Sequence, residues 1–260
     1  MNKATKECKI IAIVNQKGGV GKTTTATNMA TALAATYMKT LLIDLDPQGN
    51  ASTGLGISYE QRTRTIYDVI VDNVTIEDTT LVTTIPNLSL VPATVDLSAA
   101  EIEIINVNKR EFILKSKLEI ARKEYDYIVI DCPPSLGLLT INALTAADSL
   151  IIPLQCEFFA LEGLSHLLKT VELIKKSLNS SLQIQGILLT MYDKRNKLTE
   201  QVEADVRECL GSMVFTTVIP RNVRISEAPS HGKPALIYDL KCSGSLAYLH
   251  LVREMLGATH

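Results

Sequence analysis

The chain has no apolar run near the roughly 18 residues that a bilayer-spanning helix needs. Its start, Met1-Asn2-Lys3-Ala4-Thr5-Lys6-Glu7, is polar and lacks the apolar core of a secretory leader. Both absences point to a cytoplasmic protein without a membrane partner. Cys8, Cys132, Cys156, Cys209 and Cys242 are odd in number and include no C-x-x-C pair. That usage fits reduced thiols better than disulfides or a zinc site. Net charge is -2 and the pI is about 6.1, so no global attraction to nucleic acid exists and any such binding must rest on local patches. No stretch rich in Pro, Gly or Ser, no internal repeat and no low-complexity tract divides the chain. One domain over residues 1–260 is therefore expected.

What is present alternates. Strand-like apolar runs lie at 10–15, 40–46, 88–92, 126–131, 148–154, 184–190 and 214–219. Helical patterns lie at 22–36, 96–105, 108–123, 138–147, 161–178, 197–210 and 243–256. Runs such as Tyr127-Ile128-Val129-Ile130 are continuous in apolar residues, as in strands covered on both faces. The alternation predicts an α/β fold with a mostly parallel sheet and helices on both faces. The stretch 47–87 is the least regular and a candidate for mobility.

Gln16-Lys17-Gly18-Gly19-Val20-Gly21-Lys22-Thr23-Thr24 follows the first strand and opens the first helix. Strand, glycine-rich loop and helix is the context of a P-loop NTPase: backbone N–H groups cradle phosphate and the helix N-terminus adds partial positive charge. Lys22 is placed to reach the β/γ-phosphates, and the Thr23 hydroxyl to ligate Mg²⁺ directly. The loop is a variant, because Gln16 stands where the pattern wants glycine and a second lysine, Lys17, comes next.

Two further strands end in acids. Leu41-Leu42-Ile43-Asp44-Leu45-Asp46 has two carboxylates that period-two geometry puts on one side. Ligands of open α/β sheets bind at the carboxyl ends of strands, so both acids can face a γ-phosphate. Tyr127-Ile128-Val129-Ile130-Asp131 ends in a carboxylate suited to Mg²⁺ or its waters. Alone, each acid could equally cap a solvated turn. Three strand ends with fitting groups make coincidence a poor account.

Together these segments resemble the ParA/Soj family of partition ATPases, which share a deviant Walker A loop with MinD and the nitrogenase iron protein. The resemblance extends to Asp44–Asn50, Asp131–Leu136, Ala160–Gly163, Leu189–Asp193, Ile219–Arg224 and Glu227–Pro234. It implies an ATP- and Mg²⁺-dependent ATPase, slow and partner-stimulated. In that reading residues Lys17, Gly18, Gly19, Val20, Gly21, Lys22, Thr23 and Thr24 bind nucleotide, and Lys17 reaches across an ATP-dependent homodimer to the partner's phosphates. Asp46 orients the attacking water. Asp44 and Asp131 hold Mg²⁺ through water. Pro220 and Asn222 lie near the base.

Arg195 and Arg224 match arginines that contact double-stranded DNA without sequence preference. A ParB-type centromere-binding protein is the implied partner and the nucleoid the implied location. The early first strand leaves no room for an N-terminal helix-turn-helix, which fits a chromosomal or small-plasmid branch. Asp239–Gly244 is less basic than the resemblance leads one to expect.

Three other readings compete. A MinD-like membrane ATPase would need a basic amphipathic tail, whereas Tyr248–Gly257 has an apolar face and little positive charge and reads better as a last core helix. An iron–sulfur carrier would need a second cysteine to join Cys132 across a dimer axis. A small-molecule kinase or synthetase would need an acceptor pocket that no motif announces.

Overall fold

Six of the seven apolar runs become strands, joined by a short seventh strand from the stretch 47–87, in the computed structural model, which describes residues 7–257. Residues 1–6 of the polar start lie outside the described residues. The strands are β1 (Lys9–Ile13), β2 (Thr40–Asp44), β3 (Leu81–Val82), β4 (Leu88–Val91), β5 (Tyr127–Asp131), β6 (Ser149–Gln155) and β7 (Gln183–Thr190). They form one sheet in the order β3-β4-β2-β5-β1-β6-β7. All pairs are parallel except β3 with β4.

Alternation along each strand splits the core in two. Ile10, Leu41, Ile43, Ile128 and Ile130 face one layer with Leu118, Ala143, Leu167 and Val171. Ile11, Ile13, Leu42 and Val129 face the other with Met29, Leu33, Tyr248 and Leu251. Each fully buried Leu or Ile contributes roughly 1.5–3 kcal/mol, so this two-sided burial is the main driving force for the sheet. The closing helix Ser243–Met255 lays its buried face on the opening helix Lys22–Ala35, where Tyr248 Oη and Thr25 Oγ1 lie 3.3 Å apart. It is a core-packing helix. No helix among the described residues is long and apolar enough to cross a membrane.

Four expectations need correction. The run 214–219 forms no strand; one isolated parallel bridge, Ile187 with Val214, joins it to β7, and a second, Tyr192 with Pro220, lies just beyond both. The amides of Thr216 and Thr217 donate to the Glu254 carboxylate at 2.6 and 2.9 Å, which takes them out of any ladder. The run 40–46 stops being strand at Asp44, so Asp46 stands in the turn beyond it. The helical pattern 108–123 divides into a 3₁₀ turn, Arg110–Phe112, and a helix, Ile113–Ala121. Finally, 47–87 contains short helices at Asn50–Gly54, Ile66–Ile70 and Ile76–Thr79 and the edge strand β3, all too short to leave a periodic signal.

Candidate nucleotide site

Register brings the site together. Asp131, the last residue of β5, pairs with Ile13 at the end of β1 on one side and with Asp44 at the end of β2 on the other. The glycine-rich loop therefore leaves the sheet at the level of both acids. Gly19 and Gly21 have φ of 75° and 88°, a backbone region that a Cβ disfavours. Helix Lys22–Ala35 begins without a side-chain cap and without an acid in its first turn, so its first N–H groups and dipole remain for an anion.

Residues outside the motif brace the loop. Asn15 Nδ2 donates to Pro153 O at 2.7 Å and its Oδ1 accepts from Lys17 N at 3.0 Å. Gln16 Nε2 donates to Gly163 O at 3.0 Å, and Thr190 Oγ1 to Val20 O at 2.8 Å. Thus β6, β7 and the helix Ala160–Ser177 all hold it. Lys22 is 6% exposed and its Nζ donates to Lys17 O at 2.9 Å. Burial pushes the Lys22 pKa down, while Asp131 and Asp46 pull it up. Lys17 is half exposed, and its ammonium pairs with the Glu157 carboxylate.

The acids differ in how they are satisfied. Asp44 is fully buried and accepts from Ser52 N at 2.8 Å, Ser52 Oγ at 2.7 Å and Asp46 N at 3.4 Å. Desolvation still raises its pKa to about 6. Asp131 is equally buried, yet neither carboxylate oxygen has a hydrogen-bond partner among the described residues. Desolvation and then Asp44 push its pKa well up. The Thr23 hydroxyl and Lys22 ease this, Thr23 without reaching hydrogen-bond geometry. An orphan buried carboxylate is costly, and a cation relieves it. With the Thr23 hydroxyl and Asp44 it forms an all-oxygen donor set, the kind Mg²⁺ prefers. Asp46 is 8% exposed; its Oδ1 accepts from Gln48 N at 3.0 Å and its carbonyl from Gly49 N at 2.9 Å.

The other predicted residues stand apart. A cavity of about 270 Å³ beside the helix start is lined by residues that include Thr23, Thr24, Asn50, Ile225 and Lys233, but not Pro220 or Asn222. Asn222 caps the helix Val223–Glu227: its Oδ1 accepts from Arg224 N at 2.8 Å and its Nδ2 donates to Ser243 Oγ at 2.9 Å. Arg195 is exposed and bonds both oxygens of Asp193 at 2.9 Å. Arg224 bonds Glu227 at 3.0 Å and lies 3.6 Å from Asp239. Glu157, Ser52 and Thr190 were missed as site residues. Thr190 falls within a segment that carried the resemblance, but nothing local announced the other two.

Comparison with known proteins narrows the class. A family model described as an AAA domain matches residues 8–184. The chromosome partitioning protein ParA of Caulobacter vibrioides is 57% identical over 250 residues, 95% of this chain and 94% of its own. The sporulation initiation inhibitor protein Soj of Bacillus subtilis is 55% identical over 95% of this chain and 98% of its own. The chain belongs to the ParA/Soj family of ATPases. Among solved structures, a cobyrinic acid a,c-diamide synthase from Mycobacterium smegmatis, with bound ATP analogue and magnesium, superposes with a TM-score of 0.84 at 33% identity over 97% of each chain. A synthetase thus shares the scaffold, but the ParA/Soj relatives match this chain at far higher identity.

Proposed function

We propose that this chain is an ATP- and Mg²⁺-dependent ATPase, acting as one domain, that partitions replicated DNA. The observation that carries the reading is Asp131, a buried carboxylate without a hydrogen-bond partner among the described residues, in register with Asp44 at the mouth of the phosphate loop. Relatives named for chromosome partitioning support the biological assignment. In this reading residues 17–24 hold the phosphates, with Lys22 compensating β/γ charge. The Thr23 hydroxyl would hold Mg²⁺ directly and Asp44 and Asp131 would hold it through water, and the ion would supply charge that neutralises the phosphates. Asp46 orients the attacking water rather than serving as a strong base. Pro220 and Asn222, although outside the lining of the cavity beside Thr23, border the base in this reading.

ATP joins two copies, and Lys17 exchanges Glu157 for the phosphates of the second copy. An exposed ion pair contributes only about 0–1 kcal/mol, so Glu157 is a weak competitor. The dimer doubles the cationic contacts of Arg195 and Arg224 with DNA phosphates, making binding sequence-independent and salt-sensitive. A ParB-type partner accelerates hydrolysis, and the protein resides on the nucleoid rather than at a membrane. Light scattering of Asp46→Ala tests this. The variant should double its mass with ATP but not ADP, bind DNA only in the ATP state, and fail to hydrolyse. A monomer in ATP, or normal turnover by the variant, would refute the reading.

A further inference from the structure

Arg62 lies in no motif that the sequence reading singled out. Its guanidinium makes five hydrogen bonds. Nε and Nη2 donate to Ile57 O at 3.3 and 2.9 Å. Nη1 donates to Gly49 O at 3.3 Å and to Ala93 O at 3.1 Å, and Nη2 to Thr53 Oγ1 at 2.7 Å. None of these acceptors is a carboxylate. The fork joins three chain segments: the one that follows Asp46, the one around Ile57, and Ala93 just past β4.

Gly49 is the link to the chemistry. Its N–H closes the turn on Asp46 O at 2.9 Å, and it begins the short helix Asn50–Gly54 with φ of 62°. A Cβ there would lie 2.5 Å from Arg62 Nη1 and 2.9 Å from Ala93 O. The turn is pressed against the guanidinium with no slack. Ser52 of the same helix bonds Asp44, and its hydroxyl accepts from Ala93 N at 3.2 Å. The Gly49 end of the turn is therefore tied to Arg62, and the helix that follows it to Asp44 and the end of β4 through Ser52, while the Asp46 amide donates to Asp44 Oδ1 at 3.4 Å.

We infer that Arg62 is a positioning residue for Asp46, anchoring the Asp46–Gly49 turn to the sheet so that the carboxylate keeps its place relative to the phosphate loop. The inference rests on the water-orienting role proposed for Asp46. Lysine lacks the planar fork and cannot reproduce the arrangement.

The test measures ATP turnover, affinity for a fluorescent ATP analogue and urea unfolding for Arg62→Lys and Arg62→Ala. Each is made in the wild-type chain and in the Asp46→Ala background. In the wild-type background, kcat of the folded protein should fall about tenfold or more with affinity held within about twofold, since sub-ångström misplacement affects turnover before binding. In the Asp46→Ala background, where turnover is already absent, either Arg62 variant should leave affinity for the ATP analogue within about twofold of Asp46→Ala alone, because the anchor acts on the carboxylate and not on nucleotide binding. Unchanged kcat with lowered stability, equal losses of affinity and turnover, or a loss of affinity beyond about twofold in the double variant would each overturn the inference. An active Asp46→Ala enzyme would instead overturn the reading of Asp46 itself.

Discussion

Lys22 shows how the site works at the scale of one residue. Its ammonium is buried between a backbone carbonyl and the field of Asp131 and Asp46, so a single cation serves a cluster of acids. Lys22→Ala should weaken ATP binding by about 10–100-fold, from the roughly 1.5–3 kcal/mol of a hydrogen bond to a charged group; isothermal titration calorimetry measures it. Lys22, Thr23 and Asp131 were legible in the sequence because their chemistry is local: a loop between strand and helix, an acid at a strand end. Arg62 was not, because all but one of its acceptors are carbonyls, those of residues 49, 57 and 93, and carbonyls carry no residue-type signal. Glu157 was not, because a lone acid 140 positions from Lys17 looks like ordinary surface until the fold pairs them.

At the scale of elements, long periodic segments were readable and short ones were not. The helix Lys197–Leu210 matches the pattern residue for residue, with Asn196 Oδ1 accepting from Leu198 N at 3.0 Å to start it. The run 214–219 was misread because apolar content cannot tell a ladder strand from a segment held at isolated points. Phe215 N and Ile219 N bond Ile187 O and Leu189 O at 3.0 and 2.8 Å, while Glu254 takes the amides between them. Glu254→Ala should leave those two amides without their acceptor and destabilise the fold by about 1–3 kcal/mol. Urea denaturation gives the loss, with nucleotide affinity expected to hold, since no Glu254 contact reaches the phosphate loop.

At the scale of the whole molecule, the two arginines proposed for DNA carry internal carboxylate partners, Asp193 for Arg195 and Glu227 with Asp239 for Arg224. DNA phosphates must compete with them, and a dimer offering two sets of arginines competes better than a monomer. Arg224→Glu should abolish ATP-dependent DNA retention, measured by filter binding at low salt, while light scattering still shows the ATP-dependent dimer. Loss of both together would assign Arg224 to the interface or the fold.

The sequence by itself determined the chemistry that lies within short stretches: the phosphate loop, the acids at strand ends, the α/β alternation and the family. Backbone propensity, periodicity and residue type suffice for those. Tertiary structure alone decided the rest. It set the register that places Asp131 between Ile13 and Asp44, braced the loop from Pro153 and Thr190, and converted 214–219 from strand to bridges. It also turned Arg62 into the anchor of the Asp46 turn. The physical reason is common to all four: backbone carbonyls and amides of distant segments are the partners, and only folding brings them within hydrogen-bond reach.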